Sequence, residues 1–423
     1  APSLLEIGTE ELPPTDLQSA LVQLSDFVTR DLVAMGLSSG DHVILVTGTP
    51  RRLVVYVDNL RTKQPIRKTA VKGPPARAAF DADGNPTKAA IGFARSQDIP
   101  LDQLTRQTDE KGSEYVYALK QEGGKAATDV LAETIPQWLA ALQFEKTMRW
   151  NGSGISFSRP IRWFVALLSN VVIPFEYGCV KSGRSTRGLR AEGSPPLEIA
   201  NAKDYHSLMV ARNIVYHRQE RQAAISRQIT ACAGEVAGTI AADPHLLDEV
   251  TDLVEQPTAF LGRFEAAYLS LPEEVLMMVM KKHQRYFPVV GSDHKMLPYF
   301  VGVRNGGRQH LETVRAGNET VLGARYADAA YFFERDTRQP LEAFLPRLKT
   351  LIFQEKLGSM WDKTLRIEQF VPWLANVLAL TADEQAVAMR AAHLCKADLV
   401  TQMVVELTSL QGIMGQKYAE RSG

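Results

Sequence analysis

The chain has 423 residues, of which 45% are apolar and 23% charged, with 48 Lys plus Arg against 48 Asp plus Glu. That length exceeds one ordinary core and predicts roughly two to four domains. Zero formal charge excludes a basic nucleic-acid tail but leaves room for local basic faces. Cys179, Cys232 and Cys395 are odd in number and form no CxxC pair, so a disulfide framework and a cysteine zinc site are both unsupported and a reducing compartment is the natural home. No apolar run approaches the roughly 18–20 residues of a membrane span. With no secretory signal and an opening Ala1, the chain reads as excised or processed, and Arg421–Ser422–Gly423 does not read as a natural end.

Ser3–Gly8 predicts a strand, stopped by the acidic turn Thr9–Pro14. A helix over 15–35 follows, with Leu17, Leu21, Leu24, Phe27, Val28 and Leu32 on one face and Gly36 as its stop. His42–Val46 and Leu53–Val57 read as strands around the turn Thr47–Arg52, and Gly73–Pro75 opens a loop running through 81–86. Helices are expected at Thr87–Gln97 and Ala126–Leu142, a strand near Tyr115–Lys120, and a strand pair at Trp163–Leu168 and Val171–Phe175. The chain turns mainly helical from Lys203 to Leu253. Strands at Thr258–Phe264 and Arg285–Val290 then flank a helix at Pro272–Lys282. Glu319–Glu334, Asp362–Leu378 and Asp383–Leu410 carry helical spacing, and almost everything after Pro340 is expected to be helix. The pattern predicts an α+β multidomain fold, a mixed α/β body followed by an all-helical region, with divisions at 1–200, 201–338 and 339–423.

Catalytic motifs are missing. The only Gly-Lys pair, Gly124–Lys125, lacks the first glycine and the hydroxyl of a P-loop, and neither a zinc HExxH helix nor a GxSxG elbow occurs. Gly152 through Arg159, with Leu189–Glu192, mimics the ATP-binding motifs of class II aminoacyl-tRNA synthetases. The order is reversed, however, and Ser156 and Ser158 stand where a glycine and an acid are needed. Glu10–Glu11 and Glu273–Glu274 read as turn and helix-start charges, because adjacent residues do not converge in a helix or strand. The eight histidines show no i,i+4 pair.

Binding chemistry is better represented. From Lys281 to Arg338 cations alternate with aromatics, a mixture that suits phosphates and splayed bases; equally, the rings belong in the core and the cations on a solvated face. Between Lys146 and Arg190, eight Lys or Arg face a single acid, Glu176.

Several stretches together resemble the beta subunit of bacterial-type glycyl-tRNA synthetase. They begin with Leu5-Glu6-Ile7-Gly8-Thr9-Glu10-Glu11-Leu12-Pro13-Pro14, Thr49-Pro50-Arg51-Arg52-Leu53 and Lys72-Gly73-Pro74. Met148-Arg149-Trp150, Arg159-Pro160-Ile161-Arg162, Lys282-His283-Gln284-Arg285-Tyr286-Phe287 and Gly317-Asn318-Glu319 follow in the family's order. Lys396-Ala397-Asp398-Leu399 and Gln411-Gly412-Ile413-Met414-Gly415 complete the run. The resemblance covers roughly the first two-thirds of such a subunit.

It implies that this chain binds tRNA(Gly) and supports an alpha subunit, or fused alpha region, that carries out ATP + glycine + tRNA(Gly) → AMP + diphosphate + glycyl-tRNA(Gly). The complex would be a heterotetramer or a fused homodimer in bacterial cytoplasm, chloroplast stroma or mitochondrion. ATP and magnesium would be used by the alpha part, and this chain would bind no cofactor. Arg149, Arg159, Arg162, Lys281, Lys282, Arg285, Arg304, Arg325 and Lys396 are the candidate tRNA contacts. The resemblance also implies an HD-like helical domain. HD-type phosphohydrolases need a His…His-Asp…Asp metal set, and here Ala397 precedes Asp398, so neither metal nor hydrolysis is expected. An HD-type phosphohydrolase and a structural module without RNA contact are the alternatives.

Overall fold

A computed structural model describes residues 1–38, 43–81, 84–108 and 112–422. The expected strand start at His42, residues 82 and 83 of the expected loop, and Gly423 lie outside the described residues. The chain divides into two compact units, Ala1–Arg218 and Gln219–Gly423.

The first unit is built on strand β1 (Ser3–Thr9), buried along its whole length. It pairs antiparallel with Ile161–Leu168 on one side and with β3 (Arg52–Val57) on the other; β2 (Ile44–Thr49) pairs with β3. The sheet continues beyond Ile161–Leu168 through Val180–Gly183 to Glu176–Tyr177. Alternation sends Leu5 and Ile7 to one face and Leu4 and Glu6 to the other. Helix α1 (Pro14–Ala34) covers the first face with Leu17, Ala20, Leu24, Val28 and Leu32, joined by helix Ala127–Ala141. Gly36, at φ +70°, ends α1. Leu189, Ile199, Tyr205, Met209 and Ile214 cover the second face.

In the second unit a four-stranded antiparallel sheet runs Thr239–Ile240, Phe287–Val290, Met296–Asn305, Pro257–Arg263. Ile225, Ile229 and Val250 pack on one side against Phe287, Val289 and Val301. On the other side Phe260 and Phe300 meet Leu322 and Tyr326 of the helix Leu311–Asp336. Leu341, Leu345, Met403, Met414 and Tyr418 belong to that same core, so residues after 338 share it with residues before. Phe370, Trp373, Val377, Leu378 and Val387 remain exposed on the helices Met360–Val377 and Ala382–Leu394 and the turn between them.

The α+β class stands, but four local expectations need correction. Gly73–Pro75 is the end of the strand Arg67–Pro75, paired across a bulge with Tyr115, a position where a missing proline N–H is tolerated. Met296–Asn305 was not expected as a strand, since Pro298 and Gly302 dilute its β pattern. Its glycine is covered from the partner strand: Phe260 lies over Gly302, and Phe300 lies over Gly262, each at the directly opposite position. The region after 338 is not all helix, because Ile352–Gln354 and Gly358–Ser359 form a hairpin. The expected helix Asp383–Leu410 breaks after Leu394 into Ala397–Val400, Gln402–Glu406 and Thr408–Leu410. Two buried carboxylates do the breaking. Asp336 accepts from the Gln402 and Met403 N–H groups at 2.8 and 2.9 Å, capping one short helix. Asp398 accepts from the Gly412 and Gly415 N–H groups at the start of Ile413–Ser422.

Candidate nucleic-acid interface

The first unit holds a buried polar hub centred on Glu6, which lies in the opening signature stretch. A glutamate in mid-strand, facing a fully buried side, must be hydrogen-bonded to stay there. Its carboxylate accepts from Trp163 Nε1, Thr186 Oγ1 and Tyr205 OH, all buried. Burial, followed by the charge of Glu6, pushes the Tyr205 phenol well above its ordinary range, with Arg52 opposing. Arg52 is itself buried and donates to the Arg187 carbonyl at 3.0 Å. This hub was not anticipated; its sequence signal is an acid at an inward position of an otherwise apolar strand.

Where the chain leaves β1, Glu10 and Glu11 do converge, because residues 10–13 form neither helix nor strand. Glu10 binds Arg162 at 2.6 Å and also Arg190, while Glu11 reaches Arg190 at 2.7 Å. Burial acts to raise the Glu10 carboxyl, but hydrogen bonds from Arg162 and Arg190 outweigh it and hold the group below its ordinary range. Arg162, expected to meet RNA, thus carries an acidic partner. The Leu189–Glu192 stretch that mimics an ATP motif supplies Arg190 to this knot. Arg149 is exposed and donates to the Gly154 carbonyl at 3.2 Å; half-buried Arg159 donates to the Ser158 carbonyl at 2.9 Å.

In the second unit, Glu273–Met278 passes into a π-helical turn, Val279–Gln284, which ends on Arg285 at φ +55°. A left-handed non-glycine residue costs about 1–2 kcal/mol, and π-turns recur at functional sites. The reversal separates the motif's two chemistries. Tyr286 and Phe287 turn into the core, where Tyr286 stacks on Phe300 with centroids 4.4 Å apart and donates to Asn318 Oδ1. Burial pushes the Tyr286 phenol up to about 12. The cations stay outside.

Lys281 pairs with Asp243 at 2.8 Å, Arg285 with Glu249 at 3.0 Å, and Lys282 donates to Ser409 Oγ. Arg325 is exposed on the helix Leu311–Asp336 and has no acidic partner within 4.0 Å among the described residues. His283 reports the local field. Burial first, then the charges of Arg325, Lys282 and Arg285, hold its imidazole below the ordinary range. Lys282 and Arg285 on this turn and Arg325 on the helix packed against it are all exposed. Arg304 instead donates to the Gln309 carbonyl at 2.7 Å, and Lys396 is half-buried with its charge acting on Asp398. The acidic partners Asp243 and Glu249 carry no signal in the sequence. Among the described residues, no cluster of three or more His, Cys, Asp or Glu is placed to hold a metal.

This α+β chain, with two arginine- and lysine-bearing surfaces, belongs to the glycyl-tRNA synthetase beta subunit family, whose model matches residues 3–423. It is 45% identical over 421 residues to the "Glycine–tRNA ligase beta subunit" of Desulforudis audaxviator, covering 99% of this chain and 61% of that protein. It is 44% identical over 420 residues to the protein of the same name from Desulforamulus reducens, covering 99% of this chain and 60% of the relative. A third relative, "Glycine–tRNA ligase, chloroplastic/mitochondrial 2" of Arabidopsis thaliana, is 43% identical over 420 residues, 99% of this chain and 39% of that protein. The chain therefore spans about three-fifths of the length of the bacterial relatives.

Proposed function

We propose that this chain is the tRNA-gripping part of a glycine–tRNA ligase, holding tRNA(Gly) while an alpha subunit or fused alpha region activates glycine with ATP and magnesium. The observation that carries the reading is the set of exposed cations on the π-turn and on the helix packed against it, Lys282, Arg285 and Arg325, in a member of this family. Cations on a pre-formed turn meet phosphates without a large ordering cost. The helices after 338 are read as the family's HD-type region, with Asp398 engaged in helix capping rather than metal binding. Bacterial and organellar relatives support bacterial cytoplasm, chloroplast or mitochondrion as the compartment.

The test is binding of a tRNA(Gly) transcript to the chain, together with glycylation on adding the alpha subunit. Lys282→Ala with Arg325→Ala is expected to weaken binding at every tRNA sequence and to lower the salt slope by about 2. An unchanged slope sinks the assignment. The burial of Tyr286 and Phe287 favours a second reading, a structural module packing against the alpha subunit. A stable alpha–beta complex whose beta chain binds no tRNA would establish it.

A further inference from the structure

A small antiparallel sheet in the first unit has strands in the order Arg67–Pro75, Glu114–Glu122, Leu104–Thr108. The helices Ala76–Ala79 and Lys88–Ser96 cover one face, packing Ala79, Ala90 and Phe93 against Val116. Strand alternation puts Tyr115, Tyr117 and Leu119 on the other face. Register sets Lys72 and Thr105 opposite Tyr117 on its two sides, Gln107 opposite Tyr115, and Ala70 opposite Leu119.

This face is open. Neither tyrosine joins a buried cluster, both are only partly buried, and Leu119 is 39% exposed. Lys72 Nζ stands 3.5 Å from the Tyr115 ring centroid. Tyr117 has no ring or cation partner among the described residues. Two rings one strand repeat apart, about 7 Å, with a lysine above and hydroxyl and amide groups beside them, match the chemistry of an extended single strand. Bases offer π-faces to the rings, and the phosphate between them offers its charge to Lys72.

We propose that this face is a stacking platform for an unpaired stretch of RNA, with a base on Tyr117, its neighbour beside Tyr115, and Lys72 on the intervening phosphate. The proposal rests on the RNA-binding reading above and adds a site in the other unit, of a different kind.

Fluorescence anisotropy of the 423-residue chain with labelled oligouridine, and separately with tRNA(Gly), tests it. Tyr115→Ala with Tyr117→Ala is expected to lower oligouridine affinity by about five- to a hundredfold. Tyr115→Phe with Tyr117→Phe, which keeps the rings and the packing, is expected to leave affinity within about twofold. Lys72→Ala is expected to take about 0.7 off the salt slope. The platform is overturned if the alanine pair binds oligouridine like wild type, if the phenylalanine pair loses as much as the alanine pair, or if wild type binds no oligouridine. It is overturned in favour of a protein surface if the alanine pair keeps RNA binding but loses the alpha subunit. A chain whose tRNA binding depends on Lys282 and Arg325 but not on these tyrosines loses the platform and keeps the earlier reading. A chain that binds no tRNA loses the earlier reading first.

Discussion

Glu249→Gln should tighten tRNA binding, although it removes an ion pair from the protein. Arg285 Nε lies 3.0 Å from Glu249 Oε1, and the two side chains are 44% and 38% exposed, so solvent already screens them. Exposed pairs of this kind are worth about 0.2–1 kcal/mol. If Arg285 meets a phosphate, it must give up part of that pair, and the carboxylate also repels the incoming charge. Glutamine keeps the shape and removes both penalties. The expected gain is about 1.4- to fivefold in affinity at low salt, fading as salt rises. Arg285→Ala should act in the opposite direction and take about 0.9 off the slope of log affinity against log salt. Anisotropy with tRNA(Gly) from about 50 to 200 mM salt reads both effects. Unchanged or weaker binding by the glutamine variant would show that Arg285 serves the fold, and the reasoning would fail.

Tyr205→Phe removes one of three donors to the buried Glu6 carboxylate, and an orphaned buried acceptor costs about 1–3 kcal/mol. The urea midpoint should fall with its slope unchanged, and an unmoved midpoint refutes the hub. Gly8→Ala would place a Cβ 1.9 Å from Trp163 Cε2, beneath the ring that holds Glu6. The expected loss is about 1–3 kcal/mol or more, read by the same titration, and a wild-type midpoint contradicts it. His283 has a folded pKa below its unfolded value, first through burial and then through Arg325, Lys282 and Arg285. Its contribution to stability is therefore complete above the unfolded value of about 6.5 and is lost as pH falls through the lower folded value. His283→Gln should flatten the acid-side fall in Tm; identical Tm profiles across that range would falsify the shift.

What was readable in the sequence is what local periodicity encodes. The apolar stripe of α1 and its terminal Gly36 were legible because one face of a helix repeats every three to four residues whatever it packs against. β1, β3 and Ile161–Leu168 were legible instead as short, largely apolar runs bounded by turn residues. Residue types at the candidate sites were legible too, since the cations of 281–285 and their aromatic neighbours stand in plain order. Their division of labour was not. Tyr286 and Phe287 point inward only because the π-turn and the left-handed Arg285 reverse the chain, and nothing in the alternation of charge and ring announces that. Partners were equally hidden: Glu10 lies 152 residues from Arg162, and Glu249 lies 36 from Arg285. Met296–Asn305 escaped notice because Gly302 takes its β-compatible packing from Phe260 on another strand. The helix expected to run to Leu410 broke because Asp336 and Asp398 carry their carboxyl groups into the core and are satisfied there by backbone N–H groups. Local sequence thus determined which residues repeat on one face, while the tertiary structure decided which charges are paired, since pairing depends on distances that only folding closes.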